Sequence, residues 1–325
     1  MKQIGSTGVQ VSNMIFGCWQ MGGDFWGPMD EAHAQDLARY AISRGVTTFD
    51  TAYCYGKGRA ETILGDTLRG VARESYQMIT KLWIDSLAYD KAIEACEASL
   101  RRLRTDYLDI YFIHYPDSTG TMPIARTMEA LNLLRSQGKI RAIGVSNFSL
   151  KQLKEARQYG QIDVNQPCYN LLWRFIDAKI LPYCQENNIS VLPYSSLAQG
   201  LLGGRFDLEH RPDADGRQIT ALCRSPYYEG AMTVVDEVQR IAAKYGTSPA
   251  CIALNWIMNK PGITAPIIGI KSESQLDGLL DAGSIKLTQQ DADSLELISR
   301  EYAASLPHFA TLFNPTIVDD PDKFE

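Results

Sequence analysis

The sequence predicts an α/β fold, a (β/α)8 barrel with an N-terminal β-hairpin cap and long loops at the C-terminal face of the barrel. Eight apolar, strand-like runs are spread along the 325 residues, and segments with apolar residues at helical spacing separate them. The runs are almost continuously apolar, which is typical of parallel strands buried on both faces. Eight such strand–helix units match a closed barrel better than an open sheet.

The strand-like elements follow one another in a regular order. Residues 2–11 are compatible with a small hairpin ahead of the first strand. The eight runs lie at residues 14–18, 46–50, 76–82, 107–114, 140–146, 162–166, 189–195 and 265–270. No composition break or low-complexity linker interrupts this order, and we therefore expect a single domain over residues 1–325.

The helical segments between the runs include EAHAQDLARYAISRG and KAIEACEASLRRLRTDY. Helix ends carry Gly or basic residues, as at Arg44-Gly45 and Gly138-Lys139. Two stretches exceed ordinary loop length, residues 200–231 after the seventh run and the tail from 305 to 325. Long loops at the C-terminal face of a barrel commonly close over ligands.

An open dinucleotide-binding sheet is the alternative fold that we excluded. Its Gly-rich loop follows the first strand, whereas the nearest approach here, G-K-G-R-A-E at 56–61, follows the second. Glu61 also occupies the position of the third Gly. Neither feature fits that motif.

Composition excludes several classes of partner. The net charge is -6, the sequence pI is about 5.4, and acidic and basic residues are interspersed, so nucleic acid is not an expected partner. The first residues contain no apolar core of a signal peptide, and no stretch approaches the ~20 apolar residues of a spanning helix. We therefore expect no membrane partner and a cytoplasmic protein, with the oligomeric state open.

The cysteines and histidines predict no metal site. The seven cysteines are scattered and form no C-x-x-C pair, which favours free thiols over a disulfide framework or a zinc site. The four histidines show no paired spacing either.

Polar residues stand at the ends of most of the predicted strands, where the active site of a barrel lies. Singly, each has a structural explanation: an Asp caps a helix, a Lys is solvated, and a His is a satisfied core residue. Together, at equivalent ends of successive strands, they indicate a site. These residues are Asp50, Lys81, His114, Ser146-Asn147, Gln166, Tyr194-Ser195 and Lys271.

The same segments resemble the aldo-keto reductase family. The resemblance runs from about residue 2 to 300, and it is carried by D-T-A-x-x-Y-G at 50–56, A-E-x-x-L-G at 60–65, Thr80-Lys81, Y-L-D-I-Y-F-I-H at 107–114, G-K-I-R-A-I-G-V-S-N-F at 138–148, V-N-Q at 164–166, Y-S-S-L-A-Q-G-L-L at 194–202 and I-I-G-I-K at 267–271.

The resemblance implies reversible hydride transfer between NADPH and an aldehyde or ketone. By the matching positions, Tyr55 is the general acid, Lys81 and Asp50 support it, and His114 orients the carbonyl. A free phenol has a pKa of about 10, and we expect the Lys81 ammonium to lower the pKa of Tyr55. Asp50 then keeps Lys81 charged. No metal is implied, and Cys54 beside this group is interpreted as packing.

The resemblance also implies a cofactor site. Ser146, Asn147 and Gln166 match the positions that hold the nicotinamide amide, and Tyr194 matches the aromatic that stacks on its ring. Lys271 and Gln275 match positions near the adenosine 2′-phosphate, which favours NADPH, with NADH possible because Gly278-Leu279-Leu280 departs from the family pattern. The remaining expected cofactor residues are Trp19, Asp50, Ser195, Leu197, Gln199, Gly200, Arg205 and Gly269.

The expected substrate residues are Trp19, Trp26, Tyr55, His114 and Tyr115. Aromatic walls suit sugars, other hydroxylated carbonyls and aromatic carbonyls alike. Two alternatives stay open: a slow-turnover regulatory subunit that keeps the cofactor site, and a Schiff-base aldolase that uses Lys81 as nucleophile.

Overall fold

Eight parallel strands form the centre of the molecule. The computed structural model describes residues 1–212 and 216–317. An antiparallel hairpin, β1 (Lys2–Gln3) and β2 (Gln10–Val11), precedes these strands, and β11 (Phe309–Thr311) pairs with β12 (Asn314–Ile317) after them. The eight strands are β3 (Ile15–Gly17), β4 (Thr48–Asp50), β5 (Gln77–Leu82), β6 (Leu108–Ile113), β7 (Ile140–Ser146), β8 (Val164–Gln166), β9 (Ser190–Val191) and β10 (Ile267–Gly269).

The sheet closes on itself. Its order is β10-β3-β4-β5-β6-β7-β8-β9, and every neighbouring pair is parallel. Between the two ends of this order, Thr264 N donates to Val191 O and Ile267 N donates to Pro193 O, both at 2.9 Å. The predicted (β/α)8 barrel is confirmed, with all eight strands inside the predicted runs.

Helices follow the strands around the outside of the barrel. The predicted segments at 31–45 and 91–107 correspond to the helices Glu31–Ser43 and Tyr89–Leu103, and Gly45 and Gly138 have the positive φ of chain reversals after helices. The helices are α1 (Trp19–Gly22), α2 (Glu31–Ser43), α3 (Arg59–Thr67), α4 (Tyr89–Leu103), α5 (Ile124–Ser136), α6 (Leu150–Ala156), α7 (Ile180–Glu186), α8 (Tyr227–Tyr245), α9 (Pro249–Met258), α10 (Glu273–Leu280) and α11 (Gln289–Ser305).

Strand β9 is much shorter than its predicted run at 189–195. Pro193 has no N–H group to give to the parallel ladder, so the regular pairing ends at Val191. The chain nevertheless stays beside its neighbours, because Tyr194 N donates to Pro167 O at 2.9 Å. Tyr194 is therefore still held at the rim of the barrel.

The hairpin plugs the N-terminal end of the barrel. Ile4, Val9 and Val11 form one buried cluster with the inward-facing residues of the strands, and Gly5 N donates to Ser190 Oγ at the start of β9, at 2.9 Å. The predicted hairpin cap is confirmed. Closure at this end leaves the opposite end of the barrel as the open mouth.

Glu61 is a buried structural carboxylate. It accepts a hydrogen bond from Thr80 Oγ1 on β5 at 2.6 Å and from Arg102 Nε on α4 at 2.6 Å, and its side chain has no solvent exposure. A buried charge is tolerated when it is paired in this way. Glu61 thus fixes α3 against the strand that carries Lys81.

The described parts of both long stretches pack at the mouth of the barrel, and residues 213–215 of the first stretch lie outside the described residues. Residues 200–231 contain short 3-10 turns at 216–219 and 221–223 before α8 begins. The tail returns as β11 and β12, and Ala221 N donates to Leu312 O at 3.1 Å, which joins the two stretches. Residues 318–325 of the expected tail lie outside the described residues. None of the described helices is both long and apolar enough to cross a bilayer.

Replacing Ile4 by Ala should lower the free energy of unfolding by about 2–5 kcal/mol, because it opens a cavity in the barrel plug. Ile4 is fully buried, whereas Leu297 on α11 is 59% exposed and Leu297→Ala is the matched control. Denaturant unfolding measures the difference. Equal stability of the two variants would contradict the packing of Ile4 in the N-terminal end of the barrel.

Candidate active site

A cavity of about 920 Å³ opens at the C-terminal end of the barrel. Most of the predicted site residues line it. They are Trp19, Trp26, Asp50, Tyr55, His114, Tyr115, Asn147, Gln166, Tyr194, Ser195, Leu197, Gln199, Gly200, Arg205, Gly269, Lys271 and Gln275. The other two, Lys81 and Ser146, lie behind its wall, where both are buried.

The strand alternation brings the polar groups to this place. Ile79, Ile110 and Val164 point into the barrel interior, and successive inward-facing residues are two apart. Lys81 is therefore the next inward position on β5, and Gln166 is the next on β8. His114 follows in the same way after Phe112 of β6.

Lys81 and Asp50 form a buried ion pair. Lys81 Nζ donates to Asp50 Oδ1 at 2.6 Å and to Thr51 O at 2.8 Å, and the two side chains are 0% and 4% exposed. Gln166 Nε2 donates to the second carboxylate oxygen of Asp50 at 2.8 Å. Both charges are thus hydrogen-bonded, which is the condition for keeping them in a dry interior.

A tight turn brings Tyr55 back over this pair. The Tyr55 hydroxyl lies 3.4 Å from Lys81 Nζ, and the Tyr55 ring is stacked against Trp19 at 5.6 Å between centroids. Gly56 has φ +63°, and a Cβ there would lie 2.4 Å from Gly22 O, so the turn requires glycine. The expected backbone freedom at Gly56 agrees with this geometry.

The expected lowering of the pKa of Tyr55 was wrong. Burial, with the Asp50 charge as the second cause, raises the pKa of Tyr55 well above its usual value. The Lys81 ammonium is already bonded to Asp50 and to the Thr51 carbonyl, so its charge is largely compensated before it reaches the phenol. Tyr55 consequently holds its proton at neutral pH.

His114 is an uncharged imidazole beside Tyr55. Burial and then the Lys81 charge lower the pKa of His114 well below its usual value. Its ring lies edge-on to Tyr55 at 6.1 Å, and Nδ1 contacts Cys54 Sγ at 3.5 Å. Cys54, interpreted from the sequence as packing, therefore contacts a predicted catalytic residue.

A hydrogen-bonded network forms the far wall. Asn147 Nδ2 donates to His114 O at 2.9 Å and to Ser146 Oγ at 3.1 Å, and Asn147 Oδ1 accepts from Tyr194 OH at 2.7 Å. Ser146 Oγ itself donates to Gln166 O at 2.7 Å. Ser146 thus supports Asn147 and Gln166 from behind and does not face the cavity.

Three cations gather at one end of the cavity. Arg205, Arg217 and Lys271 all line it. Burial, followed by the charges of Arg217 and Arg205, lowers the pKa of Lys271, and burial followed by Arg205 lowers the pKa of Arg217. Like charges held this close favour an anion between them. The donor set fits a phosphate group.

Aromatic rings line the cavity beside these cations, and Arg217 lies over the Trp26 ring, 5.2 Å from its centroid. Phe25 stacks on Trp19 at 4.8 Å, Trp26 meets Phe25 edge-on at 4.8 Å, and Phe313 of the tail meets Trp19 edge-on at 5.4 Å. Trp83 packs edge-on against His114 at 5.2 Å. Together these rings surround Tyr55 and His114 with apolar surface.

Among the cavity residues that sequence reasoning missed are Trp83, Arg217 and Phe313. Trp83 directly follows β5, and its place at a strand end was a usable signal. Arg217 lies in the long loop after β9 and belongs to no motif that was recognised. Phe313 lies in the tail, where nothing in the local sequence indicates that the chain returns to the mouth.

The fold and the polar group at its mouth define a barrel protein with an enzyme-like site. A model of the family described as "Aldo/keto reductase family" matches residues 13–300. The chain belongs to the aldo/keto reductase family, and the expected family and its class of nicotinamide-dependent oxidoreductases are confirmed.

Two curated relatives cover nearly the whole chain. It is 34% identical over 306 residues to the aldo-keto reductase YhdN of Bacillus subtilis (strain 168), covering 91% of this chain and 92% of that protein. It is 32% identical over 332 residues to the NADH-specific methylglyoxal reductase of Escherichia coli (strain K12), covering 94% and 99%.

Two solved structures are similar over their full length. The glycerol dehydrogenase AKR11B4 from Gluconobacter oxydans has a TM-score of 0.83 at 28% identity, covering 98% of both chains. An aldo-keto reductase from Klebsiella pneumoniae in complex with NADPH has a TM-score of 0.74 at 27% identity, covering 98% of this chain and 100% of that one.

Asp50→Asn should lower the free energy of unfolding by about 3–5 kcal/mol, because it leaves the Lys81 ammonium buried without a counter-charge. The double variant Asp50→Asn/Lys81→Met removes both charges and should be more stable than Asp50→Asn alone. Chemical denaturation of both variants and the wild type checks this. A double variant that is no more stable than the single one would contradict the ion pair.

Proposed function

We propose that this protein is an NADPH-dependent carbonyl reductase in which Tyr55 donates the proton. The observation that carries the proposal is the Tyr55 hydroxyl at the cavity wall, 3.4 Å from the ammonium of Lys81, which Asp50 holds at 2.6 Å. The substrate is an aldehyde or ketone, and hydroxylated carbonyls are included.

The chemistry needs a hydride, which a bound reduced nicotinamide supplies to the carbonyl carbon. As negative charge develops on the carbonyl oxygen, the Tyr55 O–H bond breaks and its proton passes to that oxygen. An alkoxide is a much stronger base than a phenolate, so a neutral phenol with a raised pKa is still a competent donor. Lys81, adjacent to the hydroxyl, stabilises the phenolate that remains.

His114 assists by hydrogen bonding. An uncharged imidazole carries one N–H group, and aimed at the carbonyl oxygen this group stabilises the developing charge without transferring its own proton. The aromatic rings around Tyr55 and His114 keep water away, which strengthens both interactions.

The residues that line the cavity are suited to binding NADPH. Asn147 and Gln166 would hold the nicotinamide amide and Tyr194 would stack on the ring, while Arg205 would bind the pyrophosphate. Lys271 would bind the adenosine 2′-phosphate, and Arg217 adds a third cation at that end. Three cations favour NADPH over NADH.

The backbone near the proposed pyrophosphate site is held in an unusual conformation. Ser195, Ala198 and Gln199 have φ of 55°, 47° and 54°, values that side-chain-bearing residues rarely adopt. Strain of this kind persists where the surrounding structure enforces it and clusters at ligand-binding segments. It supports the assignment of this turn to cofactor binding.

The aldolase alternative is disfavoured by the placement of Lys81. A Schiff-base lysine must reach the substrate as a free amine. Lys81 lies behind the cavity wall with a fully buried side chain, and its Nζ is bonded to Asp50 at 2.6 Å. The other alternative, a regulatory subunit that keeps the cofactor site, differs from the proposal only in its slow turnover. Measuring the reduction of a panel of small aldehydes and ketones with NADPH and with NADH tests it.

Tyr55→Phe should reduce the turnover number for carbonyl reduction by about 10²- to 10⁴-fold, the range expected for loss of a general acid. NADPH affinity should stay near that of the wild type, because the ring remains. Turnover and cofactor fluorescence titration measure the two effects. Tyr53→Phe is the matched control, because Tyr53 is absent from the cavity wall and packs under Arg102.

Near-normal turnover in Tyr55→Phe would remove Tyr55 as the proton donor. A comparable loss in Tyr53→Phe would show that the effect comes from disturbing the turn.

Lys271→Ala should raise the NADPH dissociation constant about 10- to 100-fold, the equivalent of one charge-assisted hydrogen bond, and should change the NADH constant far less. Arg217→Ala tests the third cation with the same titration. The control is Lys286→Ala, an exposed lysine that does not line the cavity. Equal losses for both nucleotides would exclude Lys271 from 2′-phosphate recognition.

A further inference from the structure

A thiol contacts the imidazole ring of His114. Cys54 lies in the turn between Asp50 and Tyr55, is partly buried, lines the same cavity, and places its Sγ 3.5 Å from His114 Nδ1. In the part of the chain that the structure describes, the ring otherwise packs against the aromatic rings of Tyr55, Trp83 and Tyr115. Cys54 is thus the polar partner of the ring.

The backbone of His114 is fixed independently of the ring. His114 N donates to Leu82 O at 3.0 Å, and His114 O accepts from Asn147 Nδ2 at 2.9 Å. These bonds hold the residue but do not decide which ring nitrogen carries the proton.

An uncharged imidazole exists as two tautomers with opposite consequences. With the proton on Nε2, Nδ1 is an acceptor towards Cys54, and Nε2–H is available as a donor. With the proton on Nδ1, the N–H points at sulfur and Nε2 presents a lone pair that repels a carbonyl oxygen.

The protonation states of the two groups agree with the first tautomer. Burial raises the pKa of the Cys54 thiol to about 12, so at neutral pH it keeps its hydrogen and acts as a donor. The low pKa of His114 keeps its ring uncharged. A protonated thiol facing Nδ1 then satisfies both atoms when Nδ1 is unprotonated.

We propose that Cys54 is a positioning residue whose S–H group donates to Nδ1 of His114 and holds the ring in the Nε2–H tautomer that can hydrogen-bond a carbonyl oxygen. The tautomer itself is a property of the free protein. Its effect on turnover rests on the proposed function. If Cys54 merely filled space, an apolar side chain of similar size would serve equally well.

Nitrogen NMR of the histidine rings tests the tautomer without any activity measurement. The chain has four histidines, and the His114 signals are those lost in His114→Gln. In the wild type, Nε2 should have the shift of a protonated ring nitrogen and Nδ1 that of an unprotonated one. Cys54→Ala and Cys54→Val should show averaging between the two tautomers, whereas Cys54→Ser, which keeps a donor, should resemble the wild type.

Steady-state kinetics tests the consequence. Loss of one neutral hydrogen bond should lower the turnover number about two- to tenfold in Cys54→Ala and Cys54→Val, with the cofactor KM unchanged. Cys54→Ser should stay within about twofold of the wild type. Cys96→Ala is the matched control, because it removes a buried thiol of α4 that does not line the cavity.

Two NMR results would overturn the proposal: a wild-type ring protonated on Nδ1, or the same tautomer population in Cys54→Ala as in the wild type. A shifted tautomer with unchanged turnover would also overturn it. Failure of the proposed function is distinguishable, because it would appear as full turnover in Tyr55→Phe while the NMR result for His114 stood.

Discussion

The buried ion pair between Lys81 and Asp50 is the interaction on which the site depends. Two charges taken out of water destabilise the fold unless both are saturated with partners. Here Thr51 O accepts a further hydrogen bond from Lys81, and Gln166 Nε2 donates one to Asp50. The ion pair therefore depends on the register of neighbouring and opposite strands. The pair thus joins three strands of the barrel at the point where Tyr55 turns back over it.

The barrel interior also explains why so much of the site could be predicted from the sequence. Inward-facing residues alternate along each strand, and the polar residues occupy the next inward positions after an apolar series, as with Ile79 and Lys81 or Phe112 and His114. A fixed period links sequence position to direction in space. Strand number followed from the apolar runs separated by helical segments, and the polar residues were recognised at the ends of those runs.

The loops have no such period, and this is where prediction failed. Arg217 and Phe313 reach the cavity by chain reversals whose geometry depends on packing between the long loop and the tail. Loop packing also explains why the expected lowering of the pKa of Tyr55 is wrong. Its pKa depends on how completely Trp19 and its neighbours bury the phenol, and burial is a tertiary property that a seven-residue motif does not contain.

Burial and charge act on the proposed chemistry in opposite directions, and their balance favours a protonated donor. Burial keeps the proton on Tyr55 in the resting site, while the nearby Lys81 gains importance only as negative charge forms on the phenol oxygen. The ammonium thus interacts more strongly with the transition state than with the ground state, and such a difference lowers a barrier. A phenol already ionised by Lys81 would have no proton to give. In the proposed mechanism the ion pair with Asp50 is accordingly needed, because it holds the Lys81 ammonium in place without letting it ionise Tyr55 before a carbonyl is bound.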